Sequence, residues 1–262
     1  MPGCSLAARP VCALTLLFSL LLPPTGAQDG VAAHPFSSPE TLHYGIEWRF
    51  INAGDATLSI EPVPNAPKPE WQAKVHLQSA GLVSKLYTLN DNYAVNLEDQ
   101  FCATGSDLNA VEGKKRRATK VTYDRARNRA TYLERDLLKN TVVSSKEIEI
   151  PGCVTDVIGG LYKLRTLHLE PGQSIQIPTS DGKKAAQVRI EAQEREDIKT
   201  SLGTFKTIRY EAFLFNGVIY ARKASMLVWI TDDARRLPVQ IRARMSFPIG
   251  SITLQLEKEQ RS

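Results

Sequence analysis

The sequence lacks the compact motifs that identify a catalytic or metal-binding protein. Its four histidines are scattered along the chain, with no His-x-His or HExxH spacing, so nothing in their pattern specifies zinc. There is no G-x-S-x-G nucleophile elbow, no Walker or dinucleotide-binding glycine pattern, and no Cys-x-x-Cys pair. We therefore expect no metal, no cofactor and no enzymatic activity.

Two weaker catalytic patterns have simpler interpretations. Ser180–Lys183 matches S-x-x-K, but its Asp-Gly pair is typical of a hairpin turn. Asp232 and Asp233 precede two arginines, a pattern typical of a charged β-turn, and Glu194 lies in a polar run typical of a solvated strand end. A hydrolase that uses Asp232, Asp233 or Glu194 is the least favoured hypothesis.

Long apolar runs are also scarce, and the one present lies at the start of the chain. Arg9 is the only charge before the run Val11–Leu22, which is followed by two prolines and the small residues Thr25–Ala27. This order predicts a signal peptide over residues 1–27, with cleavage after Ala27. The run is too short to cross about 30 Å of hydrocarbon. We expect a periplasmic protein with no transmembrane span and at most peripheral membrane contact.

Cysteine is rare as well. Cys4 and Cys12 lie in the predicted leader, which leaves Cys102 and Cys153 in the exported part. An even pair in an exported protein favours a disulfide, which would contribute roughly 4 kcal/mol by closing a loop of about 50 residues. The alternative is two buried thiols in a reducing compartment.

The charge balance excludes a typical nucleic-acid footprint. The formal net charge is +5 on 262 residues, with 42% hydrophobic and 23% charged residues, which is ordinary for a globular protein. The densest basic run is Lys114, Lys115, Arg116 and Arg117. It is interpreted either as a solvated hairpin or as a contact with an anionic surface, such as lipid headgroups or a cell-wall polymer.

What the sequence does contain is alternation. Residues 28–40 are typical of a flexible N-terminus, and residues 41–260 of a single β-rich domain. Apolar residues occupy every second position of several segments, which predicts half-buried antiparallel strands. The segments are Leu42–Phe50, Ala56–Ile60, Trp71–Leu77, Ala186–Ala192, Val239–Met245 and Ile252–Leu256. Asn52–Asp55 and Asn90–Asn92 are predicted turns, and a short strand is predicted around Tyr87.

One segment breaks the alternation. Residues 156–168 carry apolar residues at helical spacing, with Thr155 available as N-cap, and Gly159-Gly160 would suit a helix packed closely on a sheet. The predicted fold is mainly β: a single strongly curved antiparallel sheet, either a half-open barrel or a β-spiral, with one central helix. Trp48, Phe50 and Trp229 are the aromatic residues expected to line a hydrophobic concavity.

Several motifs of the second half occur in a characteristic order. They include Cys153–Asp156, Leu161–Leu167, Leu202–Phe205 and Trp229–Val239, and Tyr44–Trp48 precedes them near the start. Together they resemble the bacterial domain of unknown function 3108 family over about residues 40–258. This resemblance implies an exported, β-rich envelope protein, with Asp156, Arg165, Asp232, Asp233 and Pro238 as structural motif residues. The segment Trp229–Pro238 is more loosely similar to a hairpin of the lipoprotein carrier LolA and its relatives.

These observations leave three hypotheses of function. The first is an exported, non-enzymatic envelope protein that binds a lipid or other hydrophobic ligand in a β-sheet concavity. The second is a structural or interaction protein that supports envelope integrity through a protein or polymer partner, without a small ligand. The third is the unrecognised hydrolase.

Overall fold

The computed structural model describes residues 39–66, 70–246 and 250–261. These residues form one 14-stranded antiparallel sheet that does not close into a barrel. The strands are β1 Glu40–Trp48, β2 Ile51–Pro62, β3 Trp71–Ser79, β4 Leu89–Leu97, β5 Ala103–Glu112, β6 Lys115–Asp124, β7 Arg129–Asp136, β8 Thr141–Glu149, β9 Ser174–Ser180, β10 Ala185–Thr200, β11 Gly203–Ala212, β12 Ala224–Thr231, β13 Pro238–Met245 and β14 Ser251–Arg261. The helices are α1 Gly81–Leu86 and α2 Val157–Arg165.

The sheet is built from two meanders joined at their first and last strands. The order runs from β8 down to β1, then β14 down to β9, so β1 and β14 are central neighbours. Their register pairs Glu40 with Arg261 and Trp48 with Ile252. The edge strands are β8 and β9, and α2 lies in the connection between them.

The sheet curves until its two edges approach each other. The Nζ atom of Lys146 on β8 donates a 2.8 Å hydrogen bond to the carbonyl oxygen of Lys183, just after β9. The hydroxyl of Tyr123 donates to the carbonyl oxygen of Ser180 at 3.2 Å. The predicted curved sheet with a central helix is confirmed.

The antiparallel order places the connections alternately at two ends of the sheet. We define the open end by six fully described connections: 49–50, 80–88, 113–114, 137–140, 181–184 and 213–223. We define the closed end by 98–102, 125–128, 201–202 and 232–237. At the closed end α2 contacts the short 3-10 helix Asp99–Phe101 and hydrogen-bonds the 232–237 connection.

The alternating segments lie in strands, except that Leu42–Phe50 extends two residues beyond β1, and some local predictions are wrong. The β1–β2 turn is Arg49-Phe50, and the expected turn at Asn52–Asp55 lies within β2. Asn90–Asn92 lies in β4, and α1 occupies the segment next to Tyr87 where a short strand was expected. The helix is shorter than the predicted 156–168 and ends at Arg165, with Thr166 as its C-cap. The N–H of Leu167 donates to the carbonyl oxygen of Leu164, three residues earlier, so the four-residue spacing of the α-helix does not continue.

The N-terminal boundary of the domain also needs correction. The predicted signal peptide and most of the predicted flexible segment lie outside the described residues. Glu40, however, is the first residue of β1 and is buried. It belongs to the folded domain because its carboxylate forms an internal ion pair, described below.

Candidate ligand-binding cavity

A cavity of about 280 Å³ lies between α2 and the inward face of the sheet. Its lining is aliphatic apart from Thr179 and includes residues from both meanders, among them Val75, Leu77, Val188, Ile190, Met226, Val228 and Leu254. Because side chains alternate along a strand, Met226 and Val228 face this cavity. The helix adds a third wall through Val157, Ile158, Leu161 and Leu164.

Gly159 lets α2 approach the sheet. A Cβ atom on Gly159 would lie 2.7 Å from the Cδ2 atom of Leu97 on β4 and 2.8 Å from a carboxylate oxygen of Asp156. Gly160 lies on the cavity side of the helix, with Thr155 nearest to its Cβ position. Gly159 therefore serves close packing on the sheet, whereas a Cβ atom on Gly160 would lie 3.4 Å from the Thr155 hydroxyl, an ordinary contact.

The N-terminus of α2 is capped by Asp156 rather than by Thr155. The carboxylate accepts hydrogen bonds from the N–H groups of Gly159 at 2.7 Å and Ile158 at 3.2 Å, and from the Tyr93 hydroxyl at 2.6 Å. Burial raises the pKa of Asp156, although these donors act to lower it. Thr155 instead forms a parallel bridge with Thr179 of β9.

The C-terminus of α2 is anchored by a buried ion pair. Arg165 donates from Nη1 and Nη2 to the two carboxylate oxygens of Glu40, at 2.5 and 2.9 Å. Its Nε donates to the carbonyl oxygen of Arg236 at 2.7 Å, and both members of the pair are almost completely buried. This bidentate pair joins α2, β1 and the 232–237 connection at the closed end.

A second, polar chamber of about 440 Å³ adjoins the aliphatic cavity. The two share Val75, Leu77, Val157 and Ile158 as lining residues. The chamber adds four tyrosines and several charged groups, namely Tyr93, Tyr123, Tyr132, Tyr220, Asp91, Asp156, Asp181 and Lys183. The two spaces therefore adjoin, one lined by aliphatic residues and the other by polar and apolar residues together.

The polar chamber reaches the surface at the open end. Lys183 and Tyr220 line it and are themselves exposed to solvent. The Lys183 ammonium lies 4.2 Å from the centroid of the Tyr132 ring. Desolvation, together with the negative charges of Asp181 and Asp156, raises the pKa of Tyr220 to about 12. Its hydroxyl, protonated at neutral pH as in any tyrosine, can donate a hydrogen bond.

The aromatic residues expected in the cavity lie elsewhere. Phe50 is 97% exposed in the β1–β2 turn. Trp229 is buried, but it faces away from the cavity: its indole N–H donates to Glu196 at 2.7 Å, and Arg242 lies over its ring. Trp48, at the end of β1, lies beside Arg49 and does not line either cavity. Aliphatic residues line the apolar part instead.

The basic run lies at the open end, but its four members differ. Lys114 and Lys115 are exposed. Arg116 is half-buried and donates to the carbonyl oxygens of Gly113 and Lys115. Arg117 is paired with Asp136 at 3.3 Å, so the outward charge of this run comes mainly from the two lysines.

The remaining motif residues serve the closed end. Asp232 accepts from Arg195 at 2.8 Å, and Asp233 accepts from Thr231 and from the Arg235 side chain. Although partial burial acts to raise the pKa of Asp233, these donors hold it below its usual value. The carbonyl oxygen of Pro238 accepts from the Tyr44 hydroxyl at 2.8 Å.

Other predicted features can be placed as well. Cys102 and Cys153 form a disulfide that joins the β4–β5 connection to the segment before α2. Ser180–Lys183 is a hairpin turn in which Ser180 Oγ accepts from the Gly182 N–H. Glu194 lies inside β10 and pairs with Arg209 at 2.8 Å, so it does not mark a strand end. Among the described residues there is no cluster of metal-ligating side chains and no helix long and apolar enough to span a membrane.

The architecture defines a class of protein: a curved antiparallel sheet around a concavity, with one helix across its closed end. Residues 41–257 match the family described as protein of unknown function (DUF3108), and the chain belongs to that family. The resemblance seen in the sequence is thereby confirmed. No curated protein matches the sequence.

Similarity to one solved structure supports the fold. A β-barrel-like protein of domain of unknown function DUF1849 from Brucella abortus is similar, with a TM-score of 0.54 at 5% identity, over 86% of this chain and 98% of that one. A candidate exported protein with a YmcC-like fold from Bacteroides fragilis covers 84% of this chain and 95% of its own, at 8% identity and a TM-score of 0.31. A candidate lipoprotein from Parabacteroides distasonis covers 86% and 96%, at 7% identity and a TM-score of 0.31.

Proposed function

We propose that this chain is an exported, non-enzymatic envelope protein that binds a lipid or other hydrophobic ligand in the concavity of its sheet. The observation that carries the proposal is the aliphatic cavity of about 280 Å³ beside a polar chamber of about 440 Å³. Ligand sites commonly measure about 300–1,000 Å³ and combine an apolar lining with a few polar groups. The pairing of one apolar and one polar part suits an amphiphile.

The energetics support an acyl chain as the apolar part of the ligand. Each methylene group moved from water into the aliphatic cavity contributes about 0.8 kcal/mol. The lining supplies no polar atom that an acyl chain would leave unsatisfied, apart from Thr179, whose hydroxyl already donates to the carbonyl oxygen of Ile177. The polar end of an amphiphile would meet the hydroxyl of Tyr220 and the charges of Asp181 and Lys183.

Export to an oxidising compartment is supported independently. The Cys102–Cys153 disulfide forms and persists in such compartments, and the N-terminal pattern is that of a signal peptide. The contacts of the carboxylates considered for hydrolysis favour a structural role instead. Asp233 holds a turn and has a lowered pKa, whereas a general acid needs a raised one.

The test is to export the chain to a bacterial periplasm, purify it gently, and compare native with denaturing mass spectrometry. We expect a lipid-sized mass that is lost on denaturation. Ala243→Leu, which enlarges a side chain lining the aliphatic cavity, should remove most of that mass. Ala126→Leu, the same change in an exposed closed-end turn, is the matched control.

The outcomes separate the hypotheses. Loss of the bound mass in Ala243→Leu but not in Ala126→Leu supports a ligand in the cavity. A bare polypeptide mass from repeated preparations of the wild type contradicts the proposal. That result would favour the second hypothesis, a structural or interaction protein of the envelope, and pull-down experiments would follow.

A further inference from the structure

Exposed apolar side chains are concentrated at one end of the sheet. Eleven large apolar residues are exposed in the described part of the chain. Ten of them lie in the open-end connections or on the first residues of the strands that follow: Phe50, Ile51, Leu82, Leu86, Tyr87, Leu137, Leu138, Val142, Val143 and Tyr220. The eleventh, Leu202, lies at the closed end. Exposed apolar residues that cluster in this way mark an interaction surface.

The same end carries an unbalanced positive charge. The six open-end connections contain eight cations and one acid: Arg49, Lys85, Lys114, Lys139, Lys183, Lys184, Arg222 and Lys223, against Asp181. The four closed-end connections contain four cations and four acids. The small net charge of the whole chain therefore conceals a strongly basic open end.

The connections are joined into one surface. The N–H of Gly113 donates to the carbonyl oxygen of Thr88, after α1, and the N–H of Leu137 donates to that of Arg116. The Lys184 ammonium donates to the carbonyl oxygen of Gly217. These bonds join connections within each meander, and the bond from Lys146 of β8 to the carbonyl oxygen of Lys183 joins the two meanders. Side chains of the separate connections can therefore meet one partner together.

One of the exposed residues is held in a costly backbone conformation. Arg49 and Phe50 form a two-residue hairpin turn with φ angles of 50° and 70°. Such turns favour Asn-Gly, because a Cβ atom lies too close to backbone carbonyl oxygen at positive φ and only glycine lacks one. The chain instead carries a phenylalanine there that is 97% exposed. Backbone strain of this kind clusters at functional sites, which supports a role for the presented ring.

We propose that the open end docks onto an anionic lipid bilayer. Apolar side chains of separate turns enter the interfacial region, while the neighbouring cations contact lipid headgroups. The cavity then opens towards the membrane, since Lys183 and Tyr220 belong both to this end and to the polar chamber. Docking does not depend on a bound ligand, so this inference goes beyond the proposed function.

The composition favours a bilayer over a protein partner. Six of the eight open-end cations are lysines, and lysine is depleted in protein–protein interfaces. Cations alternate closely with apolar residues, as in Arg49-Phe50, Lys85-Leu86 and Leu138-Lys139. A flexible lysine can bury its methylene stem at the interface while its ammonium stays among the headgroups.

The first test is sedimentation with vesicles. The full chain should bind phosphatidylcholine vesicles that contain about three phosphatidylglycerol molecules in ten, and bind pure phosphatidylcholine far more weakly. The variant Leu137→Ser/Leu138→Ser and the variant Lys114→Gln/Lys139→Gln should each lower the partition coefficient by about tenfold. Leu202→Ser and Arg127→Gln, at the closed end, are the matched controls.

A spectroscopic test locates the contact. Leu138→Trp places a fluorophore at an exposed open-end turn, and Leu202→Trp places one at the closed end. Both variants retain Trp48, Trp71 and Trp229, so each signal is measured as the difference from the wild type. With anionic vesicles, only the fluorescence added by Leu138→Trp should shift to shorter wavelength and be quenched by brominated lipid. Equal binding by open-end and control variants, or quenching at both positions, would overturn the inference. So would failure of the wild type to bind vesicles, even if an envelope protein bound the open end.

Either proposal can be contradicted without the other, because each variant below affects only one of the two measurements. Ala243→Leu should lose the co-purifying mass but still bind vesicles, and Leu137→Ser/Leu138→Ser should show the reverse.

Discussion

The two ends of the sheet contain similar residue types but differ in how those residues are paired and exposed. At the closed end, charges are balanced and paired: Arg165 with Glu40, Arg195 with Asp232 and Arg235 with Asp233. At the open end, cations outnumber acids, and apolar side chains are exposed beside them. The difference teaches that the features holding the fold together and those available for contact are spatially separated.

The separation predicts that closed-end variants lower stability and leave vesicle binding of the folded protein intact. The largest effect is expected for Arg165→Met, which leaves the buried Glu40 carboxylate without its main partner. Breaking a buried ion pair in this way lowers the free energy of unfolding by about 3–5 kcal/mol. We expect a loss near the lower end of that range, because Arg261 still pairs with Glu40 at 3.0 Å. Urea denaturation measures the loss.

Two further variants make this prediction decisive. Arg127→Met, at a largely exposed arginine, should change the free energy of unfolding by less than about 0.5 kcal/mol. The double variant Arg165→Met/Glu40→Leu should regain most of the lost stability, because the unpaired buried charge is removed. If Arg165→Met lost no more than Arg127→Met, the pair would not anchor the closed end.

A loss of similar size is expected from removing the disulfide. Cys102→Ser/Cys153→Ser opens a link between residues 51 positions apart and should cost about 2–4 kcal/mol. Urea midpoints measured with and without reductant provide the comparison. Reductant should bring the wild type to the midpoint of the variant and leave the variant unchanged. An oxidised wild type with the same midpoint as the variant would contradict this prediction.

The smallest change in stability is expected at the open end, where the substitution should stabilise the protein. Phe50→Gly removes the penalty of a positive φ and should raise the free energy of unfolding by up to about 1 kcal/mol. It should also weaken binding to anionic vesicles, because an exposed ring is lost. Asn128→Gly, another positive-φ residue but at the closed end, should leave vesicle binding unchanged. A Phe50→Gly protein that bound vesicles as well as the wild type would remove the argument from strain.

Local patterns predicted most of the fold. Alternation located strands such as Trp71–Leu77 because each buries one face, and an even pair of cysteines in a chain with a predicted signal peptide predicted the disulfide. Turn-forming residues misled at Asn52–Asp55 and Asn90–Asn92, because pairing with neighbouring strands on both sides outweighed local preference.

The site was harder to predict, because it depends on contacts between residues that are distant in sequence. Glu40 ends a polar segment typical of a flexible tail, and its partner Arg165 lies 125 residues away. Aliphatic residues that line a cavity have the same alternation as residues that fill a core, so aromatic residues such as Trp229 were favoured instead. The hydrogen bond from the indole N–H of Trp229 to Glu196 shows that this side chain points away from the cavity.

The central position of β1 and β14 has a consequence for the order of folding. Their register joins residues as far apart as Glu40 and Arg261, so this seam has the highest contact order in the described sheet. Contacts of such separation form slowly because a long loop must close first. Each meander can pair its own strands early, but the two halves join only when the last strand arrives. Loss of β14 would therefore divide the sheet at its centre, whereas loss of β8 or β9 would only shorten an edge.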